Sequence, residues 1–289
     1  MHLFKPLLLA LATFGLPQIS RAACEPDPRA DAVTTAWRQH QPQQRLEDLN
    51  PASALCFRQD LVKRLTTSLG PLVGYKVGVY TAAARKSFGA SAPAVGVLLQ
   101  KMLVNEGAEV SASSGVALVS EADFLLVVKD AGINGATTRE EVFRHLRGFR
   151  AFVELPDLNY KPAPAPNLGQ LIALNVNARA GVMGRELPLP QTPAGFAGLA
   201  KLTADVTVEG AAEGSVHARG VAAETLGDPL EIVRAARDGL RQEGATLKAG
   251  DLISIGSLTP PRPVKAGETL SIRYSVAPST VEIAVKFVP

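Results

Sequence analysis

The sequence predicts an α+β fold in which strands outnumber helices. Two observations carry this reading. A pair of helical stretches opens the chain and strand-like runs dominate from about residue 71 onward. Those runs do not alternate regularly with helices, as a doubly wound parallel sheet would require. No internal repeat or linker separates two units, so a single domain is expected over 23–289, with N-terminal helices to about 70 and a β-rich core over 71–289.

The first 22 residues read as a secretory signal. His2 and Lys5 give a short positive start, and 6–16 form an apolar run too short to span a bilayer. Ser20-Arg21-Ala22 places small residues where a signal peptidase reads, so cleavage is expected after Ala22, with a periplasmic or secreted product. Arg21 stands where a lipobox needs an apolar residue, which argues against lipid attachment at Cys24.

Helices follow over 27–40 and 50–69. Asn50 is a natural N-cap, Pro51 suits the first turn, and Gly70-Pro71 stops the second helix. A short strand over 72–79 holds one lysine, Lys76, and 80–88 reads as a short helix or turn. Strands are expected over 95–99 and 104–110, then a long apolar one over 116–129 that carries Glu121 and Asp123. Thr138 opens a helix over 137–147, with Glu140 and Glu141 suited to its N-terminal end. A strand over 149–155 ends in Glu154, a Pro-rich loop covers 160–166, and 168–174 forms one or two helical turns. Strand candidates follow over 178–183, 204–209 and 215–221. Gly227-Asp228-Pro229 caps a helix running to 244, with Ile232, Val233, Ala236 and Leu240 on one face. Strands over 250–255, 269–275 and 281–288 close the chain.

Composition narrows the function. Residues 1–22 hold two of the 30 Lys and Arg and none of the 27 acids, leaving 28 bases against 27 acids and a net charge of +1. With no polybasic cluster, nucleic acid is not an expected partner. No later segment is long and apolar enough to cross a membrane. The two cysteines, Cys24 and Cys56, leave two readings open: a disulfide pinning the first segment to the second helix, or a buried Cys56 with Cys24 free.

The four histidines are scattered, which argues against a His-rich zinc site. No Gly-x-Ser-x-Gly elbow, Cys/His pair or Gly-rich phosphate loop is present. What stands out is charge inside apolar strands: Lys76, Glu121, Asp123 and Glu154. Glu121 and Asp123 are two residues apart, so a strand points both to one face. Like charges in an apolar strand are costly unless a cation lies between them, and a hard divalent ion on oxygen ligands resolves that cost. A strand at a sheet edge with both groups solvated resolves it equally.

At these residues the sequence resembles the 2-keto-4-pentenoate hydratases of the fumarylacetoacetate hydrolase superfamily. GYKVG at 74–78, GVLL at 96–99, the Glu-x-Asp strand and FVELPD at 152–157 carry the resemblance. LNVNARAGVMG at 174–184, GDP at 227–229, LKAGDLISIGSLT at 247–259 and VKAGETL at 264–270 extend it over roughly 50–288.

The resemblance implies a mixed β-sandwich roll with peripheral helices, like the C-terminal domain of fumarylacetoacetate hydrolase, in a homo-oligomer. It implies a divalent metal, Mg²⁺ or Mn²⁺, on Glu121, Asp123 and Glu154. It makes Lys76 the acid/base residue, and burial near a metal would lower its pKa. Ser257 and Thr259 would line the substrate end, together with Asn175.

The chain departs from the pattern in three places: Asp123 replaces a Glu, Ala94 stands where an acid/base Asp is usual, and Leu174 replaces the Asp of an Asp-Asn pair. The expected function is a metal-dependent hydratase, a hydro-lyase adding water to a 2-hydroxy-2,4-dienoate or 2-oxo-enoate. The substrate is then a small 2-oxo acid, whose carboxylate and 2-oxo oxygen chelate the ion. The alternatives are a 2-oxo-3-enedioate decarboxylase, an acylpyruvate C–C hydrolase, and a secreted non-catalytic carboxylate-binding or structural descendant.

Overall fold

The computed structural model describes residues 24–289 except Pro162, Glu213 and Pro278. The expected signal segment, 1–22, lies outside the described residues.

Two helices lead, α1 (Arg29–Arg38) and α2 (Pro51–Leu69). The Asn50 side chain accepts from the Ala52 and Ser53 N–H groups, satisfying amides that the first turn of α2 leaves free. A disulfide joins Cys24 to Cys56 on α2. The chain then forms β1 (Leu72–Gly78), α3 (Ala82–Phe88), β2 (Ala94–Leu99), β3 (Leu103–Asn105), β4 (Glu109–Ser111), β5 (Val119–Val128), α4 (Arg139–Arg144) and β6 (Leu146–Leu155). There follow α5 (Leu168–Ala173), β7 (Ala180–Met183), β8 (Leu187–Pro188), α6 (Pro193–Ala200), β9 (Thr203–Glu209), β10 (Val216–Val221), α7 (Ala222–Thr225) and α8 (Pro229–Gln242). The last strands are β11 (Leu252–Ser254), β12 (Arg262–Pro263), β13 (Thr269–Val276) and β14 (Ser279–Val288).

The strands make two mixed sheets. The larger runs β2-β1-β11-β5-β6-β7-β3, with β12 on β5 and β8 on β6. The smaller runs β10-β9-β13-β14-β4. Aromatic rings join them: Tyr274 of β13 lies 5.7 Å from Phe124 of β5, which stacks on Phe149 of β6 at 5.1 Å. The Tyr274 hydroxyl donates to the Phe152 carbonyl at 2.7 Å, so its burial leaves no orphaned polar group. Strand alternation therefore turns Phe124 and Leu126 toward the main core. Leu125 and Val127 point to the opposite face, into a smaller apolar cluster with Leu98, Phe152 and Leu252.

This is the expected α+β architecture, with local differences. The strand expected over 104–110 is two strands in different sheets, because Gly107 turns the chain at φ 89. The helix expected over 137–147 is shorter, since Leu146 already belongs to β6. The acidic strand starts at Val119, because the Asp157 carboxylate takes the Val116 and Ala117 N–H groups. No described helix is long and apolar enough to cross a membrane.

Candidate active site

Lys76, Glu121, Asp123 and Glu154 come together on one face of the larger sheet. Glu121 and Asp123 alternate on β5, and Glu154 of β6 is the cross-strand partner of Glu121. Directly paired residues share a face, so all three carboxylates do. Lys76 of β1 is in register with Ser254 of β11, which is in register with Leu125 of β5, so the lysine joins that face. Its Nζ lies 2.6 Å from Glu154 Oε1. Lys76, Asp123 and Glu154 are buried, whereas Glu121 is half-buried and marks the solvent side of the group.

Asp123 is held on both oxygens. Oδ1 accepts from the Gly256 N–H at 3.0 Å and from the Phe124 N–H, and Oδ2 accepts from the Ser254 hydroxyl. Even so, burial pushes its pKa well above the usual carboxylate value, and the Glu154 charge adds to that push. Glu121 is pushed up to about 7, by burial first and the Glu154 charge second, against the pull of Lys76. For Lys76, burial is the largest effect and acts downward, but the Glu154, Glu121 and Asp123 charges together raise its pKa. This direction is the reverse of the one expected from burial, because three carboxylates face one ammonium.

The donor set suits a hard divalent cation. Three carboxylates carry more negative charge than Lys76 balances, and Glu154 Oε1 is buried with no aligned hydrogen-bond donor despite the nearby ammonium. The arrangement is less complete than the donor set. Among the described residues no group of three or more His, Cys, Asp or Glu side chains has metal-holding geometry. The short Asp123 side chain is instead engaged by Ser254 and Gly256.

The expected substrate residues lie in different settings. The Asn175 backbone approaches Gly96, the register partner of Lys76, and its side chain bonds the Val97 backbone. The Ser257 hydroxyl donates to the Thr259 carbonyl at 2.6 Å. Thr259 lines a cavity of about 40 Å³ with Ser120 and Ala122, whose positions alternate with Glu121 on β5. Ala94 pairs with Gly78, next to the site, and brings no carboxylate. Sequence reasoning missed Ser254, although a hydroxyl within the apolar run Leu252–Ser254 was the available signal.

No family model matches the sequence. A 2-keto-4-pentenoate hydratase of Paraburkholderia phymatum is 27% identical over 202 residues, covering 68% of this chain and 72% of the relative. A 4-oxalocrotonate decarboxylase of a Pseudomonas species is 25% identical over 228 residues, covering 78% and 83%. Among solved structures, 4-oxalocrotonate decarboxylase from Pseudomonas putida G7, complexed with magnesium and adipate, has a TM-score of 0.79 at 22% identity. It covers 90% of this chain and 95% of that one. The sequence likeness bears out the resemblance to the hydratases, and the structural likeness bears out the fold.

Proposed function

From a hydratase-like chain with this fold, we propose a metal-dependent hydro-lyase that adds water to a 2-hydroxy-2,4-dienoate through its 2-oxo tautomer. The observation that carries the reading is the buried Lys76 ammonium, 2.6 Å from Glu154 and facing two further carboxylates on one sheet face. Glu121, Asp123 and Glu154 would hold Mg²⁺ or Mn²⁺, which when bound supplies Lewis acidity toward a chelating 2-oxo acid. Lys76 Nζ moves the proton between the enol and ketone forms. In the metal-free site the Glu154, Glu121 and Asp123 charges favour the ammonium form of that nitrogen against the effect of burial. The apolar surroundings of Leu98, Leu125 and Phe152 on the same sheet face limit water there. A periplasmic or secreted location and a homo-oligomer belong to the same proposal, for fractionation and light scattering to check.

One observation favours a second reading. Ala94 offers no acid to direct water, and decarboxylation of a 2-oxo-3-enedioate needs no water activation. A 4-oxalocrotonate decarboxylase among the sequence relatives fits that reading.

Ultraviolet assays with 2-hydroxypenta-2,4-dienoate and with 4-oxalocrotonate, each with Mn²⁺, distinguish the two. Lys76→Ala should lower turnover about 10²- to 10⁴-fold, the usual contribution of a general acid or base. The rise in melting temperature that Mn²⁺ produces should persist in Lys76→Ala and disappear in Glu154→Gln. Silence on both substrates by a protein that Mn²⁺ stabilises would overturn the enzymatic reading in favour of carboxylate binding.

A further inference from the structure

A second charged site lies where α1, α2 and the segment before β7 meet. A pocket of about 360 Å³ is lined by Trp37, Arg38, His40, Ser68, Lys101 and Arg179 among others, and no carboxylate lines it. None of Lys76, Glu121, Asp123 and Glu154 contributes to it.

Arg179 is the built part. It is only 7% exposed, and its guanidinium stacks 3.9 Å from the Trp37 ring centroid. Nε donates to the Ser114 carbonyl at 2.8 Å, and Nη1 donates to the Trp37 carbonyl at 2.7 Å, near the C-terminal end of α1. Those bonds fix the plane of the guanidinium and use two of its five N–H donors. Nη2 has no acceptor among the described residues, and Arg179 makes no ion pair there.

Capping α1 accounts only for Nη1, which leaves the Nη2 donors uncommitted in a side chain that lines the pocket. Asp157 is the one charge that supports Arg179 at longer range, and burial outweighs it. Lys101 and Arg38 repeat the pattern at the rim. Lys101 is exposed with no ion-pair partner among the described residues, and Arg38 spends Nη2 on the Arg64 carbonyl and the Thr67 hydroxyl. His40 sits beside them at φ 55, a left-handed backbone that a non-glycine residue adopts at a cost. Its Nδ1 donates to the Ser113 carbonyl at 2.9 Å, leaving Nε2 uncommitted.

We propose that this pocket binds a small oxyanion, a phosphate or a carboxylate, on the free edge of the Trp37-stacked Arg179 guanidinium, with Lys101 supplying a second charge. A planar fork held by stacking presents N–H pairs to such an anion, and a lysine adds a mobile point charge. The proposal is independent of what the carboxylate cluster does.

Trp37 is the only tryptophan in the sequence, so its fluorescence reports on this pocket alone. The protein is titrated with inorganic phosphate and separately with succinate, at ionic strength held constant with sodium chloride. A saturable change in Trp37 emission with either anion is expected, and the anion that saturates at lower concentration gives the class. Lys101→Glu, a change at an exposed side chain, should weaken binding about tenfold by reversing a rim charge. Arg179→Gln should abolish the response, and Lys101→Glu decides the matter if Arg179→Gln fails to fold. A change that tracks chloride alone, or unaltered affinity in Lys101→Glu, would overturn the proposal.

Discussion

Glu121 keeps its proton up to about pH 7, while an unfolded glutamate loses it near 4.5. Between those values the folded chain binds more protons than the unfolded one, so stability falls as pH rises. Asp123, also pushed up, acts with the same sign. On the acid side Glu141, held at about 2 by the Thr137 and Thr138 N–H groups and the Thr137 hydroxyl, works the other way. Its contribution is present above 4.5 and is lost as pH falls toward 2. The melting temperature of the protein in chelator should therefore peak near pH 5 and decline toward pH 8. Glu121→Gln should flatten the decline, and an unchanged slope in that variant would remove Glu121 as its cause. Glu121 and Asp123 were legible in the sequence because each interrupts an apolar strand. The bonds that Ser254 and Gly256 make to Asp123 were not, since they join residues more than 130 positions apart.

The segment behind Lys76 has an unusual backbone. Asn175, Val176 and Asn177 lie at φ 55, 53 and 58, one left-handed turn. Asparagine tolerates that region, but a β-branched valine is strained there by about 1–2 kcal/mol. Packing holds it in place. A Cβ on Gly78 would lie 2.5 Å from Val176 Cγ1, and one on Gly96 would lie 2.8 Å from the Asn175 carbonyl and 2.9 Å from Lys76 Cγ. Asn175 then clamps β2, its Oδ1 accepting from the Val97 N–H at 2.7 Å and its Nδ2 donating to the Val97 carbonyl at 2.9 Å. Because β2 ends the sheet, these bonds replace a missing neighbouring strand. Asn175→Ala should cost about 2–3 kcal/mol in denaturant unfolding, the penalty for leaving buried backbone groups unpaired. A loss below about 0.5 kcal/mol, the range of an inert surface change, would show that the clamp is dispensable. Period-two patterning revealed most strands, but a left-handed turn has no periodicity to read. Helix α6 escaped notice for a related reason. Its Gly195 and Gly198 allow close approach to the Pro190 and Ala277 carbonyls and weaken the helical signal.

At the scale of the molecule, α2 ties the N-terminal layer to the sheet that carries the site. Arg58 of α2 pairs with Glu243 just beyond α8 and donates to the Val95 carbonyl of β2, so helix and strand are joined through buried charge. Breaking a pair of this kind from one side is expensive, because the remaining charge stays buried. Two residues earlier on the same helix, Cys56 anchors the disulfide to Cys24. Composition left that pairing open, since no count of cysteines reports how close two of them come in space; α1 packing on α2 is what brings the segments together. The bridge closes a loop 32 residues apart in sequence. In the chain-entropy account, a loop of that size contributes about 3–4 kcal/mol by restricting the unfolded chain. For a chain of this size, reduction or Cys56→Ser should lower the melting temperature by about 5–7 °C. The carboxylates sit on β5 and β6, outside the closed loop, so the Mn²⁺-dependent rise should keep its size in the reduced protein. A reduced protein that melts with the oxidised one would show that side-chain packing alone secures α2. Loss of the Mn²⁺ response on reduction would show instead that the order of the site passes through this helix.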